Sequence, residues 1–217
     1  MFFVIFVRDF PAESVEPVKT MLNLTAAFTE FPILETERLL LRAVSADDAP
    51  AMFRIMADPQ TMRYFGQAPM TEMEQAVVRI ADINKAFQAR EGVRWAIVLR
   101  ETRQHVGSCG FWRLVVPHER AEIGYELAPE CWGRGLMTEA VGAVLNFGFT
   151  TLRLHSIEAN IHPDNIGSRR VLEKLGFVQE GYFRENFREP DGRFTDSAVF
   201  SLIRPTTADD GISLSGV

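Results

Sequence analysis

An α+β domain, with about four helices packed on a mixed and mostly antiparallel sheet, is the fold class that this chain of 217 residues predicts. Three features lead there. The patterns run in the order strand, two helices, three strands, helix, strand, helix, two strands. The three central strands are joined by short polar turns, as in an antiparallel meander. No internal repeat and no linker interrupts residues 32–204, so a single core serves the whole order.

Ile33 to Arg42 ends in an apolar run and reads as the opening strand. Ser45 with Asp48 has the spacing of a capping box, which starts a helix that Asp58-Pro59 stops near Ala57. Thr71 with Glu74 repeats the signature, and behind it Met73, Ala76, Val77, Ile80, Ile83 and Phe87 share one helical face. Trp95–Leu99, His105–Val115 and Ala121–Leu127 are the meander strands. A helix from about Gly135 to Thr150 buries Ala140, Val141, Val144, Leu145 and Phe149. His155–Asn160 is a further strand, and Asn165 opens a helix that Gly176 closes. Tyr182–Phe187 and Phe194–Ile203, joined by the Pro190-Asp191-Gly192 turn, make a closing hairpin. Residues 1–31 read as an extension of uncertain order, an added strand, a docking arm or an upstream start before Met21, and residues 205–217 as a flexible tail.

Composition narrows the function. The net charge of −6 argues against a nucleic-acid binder, which needs a basic face. The apolar start Met1–Val7 is cut short by Arg8, Asp9 and Pro11 and lacks a basic leader, so neither a signal peptide nor a membrane span is expected. Two cysteines, Cys109 and Cys131, fit no zinc spacing and no disulfide framework, so a reduced, cytoplasmic setting without a metal is expected.

The informative stretch is Pro129-Glu-Cys-Trp-Gly-Arg-Gly-Leu-Met-Thr138. A glycine-rich loop that passes a strand's end into a helix leaves several amide N–H groups without partners, and the helix dipole makes them attractive to phosphate. Gly133 and Gly135 would let the backbone approach a diphosphate, Arg134 adds charge and Thr138 a hydroxyl. A structural turn is the competing reading. The spacing is neither a Walker loop nor a dinucleotide fingerprint.

This loop, placed after Ile123-Gly-Tyr-Glu-Leu127, resembles the acyl-CoA loop of the GCN5-related N-acetyltransferases (GNAT), within them the branch of ribosomal-protein alanine N-acetyltransferases. Thr36-Glu-Arg-Leu-Leu-Leu-Arg42, Asn165-Ile-Gly-Ser168 with Leu175-Gly-Phe177, and Glu180-Gly-Tyr182 with Asp191-Gly192 and Asp196 resemble that branch as well, over about residues 33–204. The resemblance implies the GNAT fold and transfer of an acetyl group from acetyl-CoA to a primary amine, a protein N-terminal α-amine or a small one. It implies that Leu127, Trp132, Gly133, Arg134, Gly135, Leu136, Met137, Thr138, Asn160 and Asn165 bind the cosubstrate, Leu127 through a main-chain N–H that also meets the oxyanion. It implies Glu122 as base and Ser168 as acid. Trp132 and Met137 depart from the superfamily's usual residues, as this branch often does. Leu172 stands where a tyrosine commonly returns the proton to the thiolate.

Alternatives stand beside these roles. Glu122 is a base or an arginine's partner, and a bulge would put Glu126 in its place. Ser168 and Asn165 serve the cosubstrate or simply their helix start. Trp112, Phe111, Tyr64 and Phe65 line an acceptor pocket or are core, and Asp47, Asp48 and Asp58 draw a cation or serve helix starts. An idle acyl-CoA-binding module is the alternative to an enzyme, and a nucleotide-phosphate binder a third reading. A homodimer through the closing hairpin is in view by resemblance alone.

Overall fold

The structure, a computed structural model, describes residues 22–205. The expectations for Met1–Val7 and for most of the tail fall on residues 1–21 and 206–217, outside the described residues. The elements, in order, are α1 (Leu24–Phe28), β1 (Leu34–Glu35), β2 (Leu39–Ala43), α2 (Ala49–Met56), α3 (Pro59–Met62), α4 (Met73–Gln88), β3 (Val93–Leu99), β4 (His105–Val115), β5 (Arg120–Leu127), α5 (Leu136–Thr150), β6 (Ser156–Ile161), α6 (Ile166–Lys174), β7 (Val178–Arg188) and β8 (Phe194–Ile203).

The strands form one sheet in the order β1-β2-β3-β4-β5-β6-β8-β7. Every pairing is antiparallel except β5 with β6. The face carrying Trp95, Cys109, Ile123 and Ile157 packs on α5 and α6. On the other, Ala96 and Val98 pack with Met52 and Met56 of α2 and Ala76 and Ile80 of α4. The fold is the α+β arrangement that the sequence predicts.

Several elements differ in detail. The expected single strand from Ile33 to Arg42 is a small hairpin, with Leu34 opposite Leu41. Thr36 turns it, its hydroxyl accepting from Leu39 N at 3.0 Å and its amide donating to Leu39 O at 3.0 Å. The helix expected from Ser45 begins as a 3-10 turn over Ala46–Asp48. Past Ala57 a new one-turn helix starts, because Asp58 accepts from Gln60 N and Thr61 N, and Pro59, which has no N–H, sits at the first position, where an N–H would find no acceptor within the helix. The cap of α4 lies one residue later than expected, on Glu72 with Gln75. Of the residues assigned to its inner face, Ala76 and Ile80 are buried, while Met73 and Val77 are exposed at its outer edge.

Residues 22–31 are placed by packing. Ala27 is wholly buried and Phe28 is 7% exposed. Phe28 and Phe31 lie 5.2 and 5.0 Å from Phe87, and Phe31 lies 5.9 Å from Trp95. The Trp95 indole N–H donates to Pro32 O at 2.6 Å. Burying one phenylalanine is worth about 1.5–3 kcal/mol, so this part of the expected extension is held by the same core as the rest.

A polar knot fixes α2 to the sheet. Arg42 makes two bonds to the Asp48 carboxylate, at 2.7 and 2.8 Å, Ser45 N adds one at 2.7 Å, and His105 Nδ1 lies 3.1 Å away. Burial pushes the Asp48 carboxyl up, but the bonds from Arg42, His105 and Ser45 outweigh it and hold the group well below the ordinary carboxylate range. A carboxyl so depressed adds stability above its unfolded pKa of about 4, and that stability is lost as pH falls toward the folded value. Asp48→Asn is therefore expected to lower the melting temperature at pH 7, at a cost of about 1–3 kcal/mol for taking the charged partner from a half-buried arginine. The gap to the parent should narrow when both are melted below about pH 4. A gap independent of pH would mean that the charge is not what stabilises.

Candidate active site

The site is built where β5 and β6 part. They pair over three rungs, Arg120↔Ser156, Ala121↔Ile157 and Glu122↔Glu158. Beyond Glu122, β5 stays with β4 as far as Leu127, and β6 stays with β8 as far as Ile161. The β5 edge from Ile123 to Leu127 therefore faces a fork. Ala128 N donates to Val106 O of β4 at 2.8 Å. Successive N–H groups of a strand point to opposite sides, so Leu127 N–H points into the fork.

At the far end of the fork stands the start of α5. Gly135, its N-cap, has φ +76° and Gly133 has φ +72°, left-handed values that favour glycine. No side chain caps this helix. Its first internal bond runs from Glu139 N to Gly135 O at 3.1 Å, which leaves the amides of Leu136, Met137 and Thr138 for an external acceptor. Open space lies over Gly133, where an added Cβ would meet nothing within 4 Å. A free strand edge that leads to uncapped amides fits a long polar arm ending in a diphosphate. Leu136 and Met137 bury their side chains in the core, so main-chain groups are what they can offer. Trp132 is half-exposed and its indole N–H donates to Leu127 O at 2.8 Å, tying the loop to the strand.

The loop is held by Thr36 and Arg38 of the opening hairpin and by Glu139 in the first turn of α5. Glu139 Oε1 accepts from Thr36 Oγ1 at 2.6 Å and from Arg38 N at 2.9 Å. The Arg38 guanidinium binds the same carboxylate at 2.6 Å and Arg134 O at 2.9 Å. Burial pushes the Glu139 carboxyl up, but these bonds outweigh it, so the group stays ionised.

Glu122 and Glu158 are neighbours across the last rung. The Glu122 side chain is 11% exposed and its nearest cation, Arg113 Nη1, lies at 3.5 Å. Burial and the charge of Glu158 push its carboxyl above the ordinary value, against the pull of Arg113. No register shift falls between Glu122 and Leu127, so Glu122, Gly124 and Glu126 share a face. Glu126, the other candidate base, has both oxygens occupied, one by Arg94 and one by Ser108.

Asn165 caps α6, its Oδ1 accepting from Ser168 N at 3.0 Å. Ser168 is buried, and its hydroxyl lies 2.7 Å from the Tyr125 hydroxyl. Asn160 is exposed on β6, past the last shared rung. Phe111 is buried core, whereas Trp112 is 51% exposed on the Glu122 face. Tyr64 lies against His162 with rings 5.0 Å apart, and Arg79 sits over Phe65. Among the described residues no group of three or more His, Cys, Asp or Glu is arranged to hold a metal.

A family model for the acetyltransferase (GNAT) domain matches residues 38–178. The chain is 39% identical over 175 residues to the uncharacterized N-acetyltransferase YoaA of Bacillus subtilis, covering 81% of this chain and 98% of that one. It is 27% identical over 180 residues to the ribosomal protein uS5-alanine N-acetyltransferase of Escherichia coli, covering 79% of this chain and 91% of that one. The crystal structure of spermidine N-acetyltransferase from Vibrio cholerae, in complex with CoA and spermine, shares the fold with a TM-score of 0.69 at 23% identity, over 78% of this chain and 97% of that one.

Removing the Arg38 guanidinium would free the Arg134 carbonyl and leave the Glu139 charge uncompensated beside the uncapped amides. Arg38→Ala is expected to weaken CoA binding about tenfold by calorimetry, the size of one charge-assisted bond. Glu139→Gln in that background should recover part of the loss. Unchanged affinity in Arg38→Ala would show that the clamp does not set the loop.

Proposed function

This chain belongs to the GNAT family of acetyl-CoA-dependent N-acetyltransferases, and on that premise we propose that it acetylates a primary amine, a protein N-terminal α-amine or a small amine, by direct attack within the β5–β6 fork. The observation that carries the reading is the fork itself, a free β5 edge whose donors lead to the uncapped start of α5. The pantetheine arm would lie along that edge as an added strand and the diphosphate against the amides after Gly135. Leu127 N–H is the donor proposed for the oxyanion, where a fixed main-chain dipole lowers the barrier as charge develops. Gly133, Arg134 and Thr138 serve the phosphates, and Trp132 holds the loop against the end of β5. Asn160, and the part of Asn165 not used in capping, serve the arm.

A protonated amine has no lone pair, so its proton must leave before attack. Glu122 is the proposed base. It faces the half-exposed Trp112 side of the sheet, and its raised carboxyl is a stronger base than an ordinary glutamate. Relatives named for an alanine of ribosomal protein uS5 and for spermidine frame the acceptor choice. A cytoplasmic setting accords with two free, buried cysteines, and no described helix is long and apolar enough to cross a membrane. A second copy bound through the closing hairpin accords with β7, an edge strand that exposes Tyr182, Phe183 and Phe187.

The test follows free thiol during incubation with acetyl-CoA and a panel of N-terminal peptides and small amines. No thiol release with any acceptor, from a chain that still binds CoA, would leave the idle binding module. Glu122→Gln should lower kcat by about 10²–10⁴. In the parent, the base is active only when ionised, so kcat/KM should fall as pH drops through the raised Glu122 value. That limb should vanish in the variant, and its persistence would assign the proton to another group.

A further inference from the structure

We propose that Tyr125 is a positioning residue for the departing sulfur: its hydroxyl holds that of Ser168 so that the serine's own hydrogen points into the fork, where the thiolate leaves. The inference rests on the acetyl-transfer reading above.

In α6, Leu172 is fully buried and offers the fork no polar group. What α6 turns toward the sheet at its first turn is Ser168. Facing it from β5 is Tyr125, on the strand that borders the fork and on the opposite face from Glu122. The two hydroxyls are 2.7 Å apart, a full-strength bond, and the next acceptor for Tyr125 is Ser168 O at 3.4 Å, a poor one. If the serine donated, the phenol hydrogen would be left with that poor partner. If the phenol donates, the short bond is kept and the serine hydrogen is released to another acceptor. Burial pushes the phenol up to about 12, against the pull of Ser168, so it remains a donor throughout the neutral range.

The balance of the step is simple. The amine nitrogen forms a bond to the acetyl carbon, the carbon–sulfur bond breaks, and its electron pair stays on sulfur. The amine's proton goes to Glu122 or water. An alkyl hydroxyl is a weaker acid than a thiol of pKa about 8.5, so Ser168 stabilises the thiolate by a hydrogen bond, and solvent supplies the final proton. One hydrogen bond formed as charge develops is worth about tenfold in rate.

The experiment is a double-mutant cycle with Tyr125→Phe, Ser168→Ala and the double variant, with kcat and the KM for acetyl-CoA measured on each. Tyr125→Phe should lower kcat about tenfold with the KM for acetyl-CoA nearly unchanged. In the Ser168→Ala background the tyrosine change should cost nothing more, because the group it orients is gone. Ser168→Thr, which keeps the hydroxyl, should retain most of the rate. CoA affinity by calorimetry and a thermal melt accompany each variant. Damage to the fold would lower affinity and kcat together, whereas the orienting role lowers kcat alone. A Tyr125→Phe enzyme with the parent's kcat would overturn the proposal, as would losses that multiply in the double variant. A parent chain that bound CoA yet released no thiol would remove the acetyl-transfer reading itself, and this role with it.

Discussion

Two parallel strands that pair for three rungs and then separate leave a row of main-chain donors without partners in the middle of a sheet. An unpaired backbone group in such a place costs free energy comparable to a lost hydrogen bond, so it persists only where something else maintains the gap. Here the outer strands maintain it. β5 is held by β4 to its end, and β6 by β8 to its end, so neither can drift across to close the fork. The parallel pairing also demands a crossover, and α5 supplies it, which brings the start of that helix to the mouth of the gap. The proposed binding site for the cosubstrate therefore follows from the topology. The side chains around it adjust chemistry on a frame that the backbone has already set.

The start of α5 has its own support. Left-handed glycines and uncapped amides would be a weak point, since a helix start commonly gains about 1 kcal/mol from a capping side chain. The Thr36–Arg38 turn replaces that support from a distance, gripping Glu139 in the first turn and the Arg134 carbonyl in the loop. Because the grip falls on a carboxylate and a carbonyl, it leaves the amide hydrogens outward and free. The break of the opening strand into a small hairpin is what brings both residues to one turn.

Much of this was legible in the sequence because it is local. The glycine pair, the order of strands and helices, the carboxylate at mid-strand and the leucine in place of a tyrosine all lie within short windows. What was not legible depends on pairs far apart in the chain. Arg38 reaches Glu139 across 101 positions, and Tyr125 reaches Ser168 across 43. Residue type marks neither pair, since arginines and glutamates are common surface residues and a tyrosine on a strand reads as core. Strand alternation puts Glu122 and Tyr125 on opposite faces, but only the register excludes a bulge between them. The capping box of α4 lies one residue beyond the Thr71–Glu74 spacing because the amides of both Thr71 and Glu72 point to Gln75.

The two faces of β5 also separate the two halves of the proposed chemistry. The proposed proton removal lies on the Glu122 face, beside Glu158 and the exposed Trp112, and the proposed stabilisation of the sulfur on the other, where half-buried Tyr125 meets the buried Ser168 of α6. A donor that must stay neutral and a carboxylate that must titrate need opposite surroundings, one dry and one partly wet. The sheet keeps the two groups on opposite faces of one strand. The acceptor side has no such single frame. The residues proposed to line it are scattered: Tyr64 lies against His162, Phe65 lies under Arg79 of α4, and Trp112 stands on β4. Those residues are set by packing between segments that share no motif, which is why the amine is the part of the reaction that neither a short stretch of sequence nor the family's fold determines.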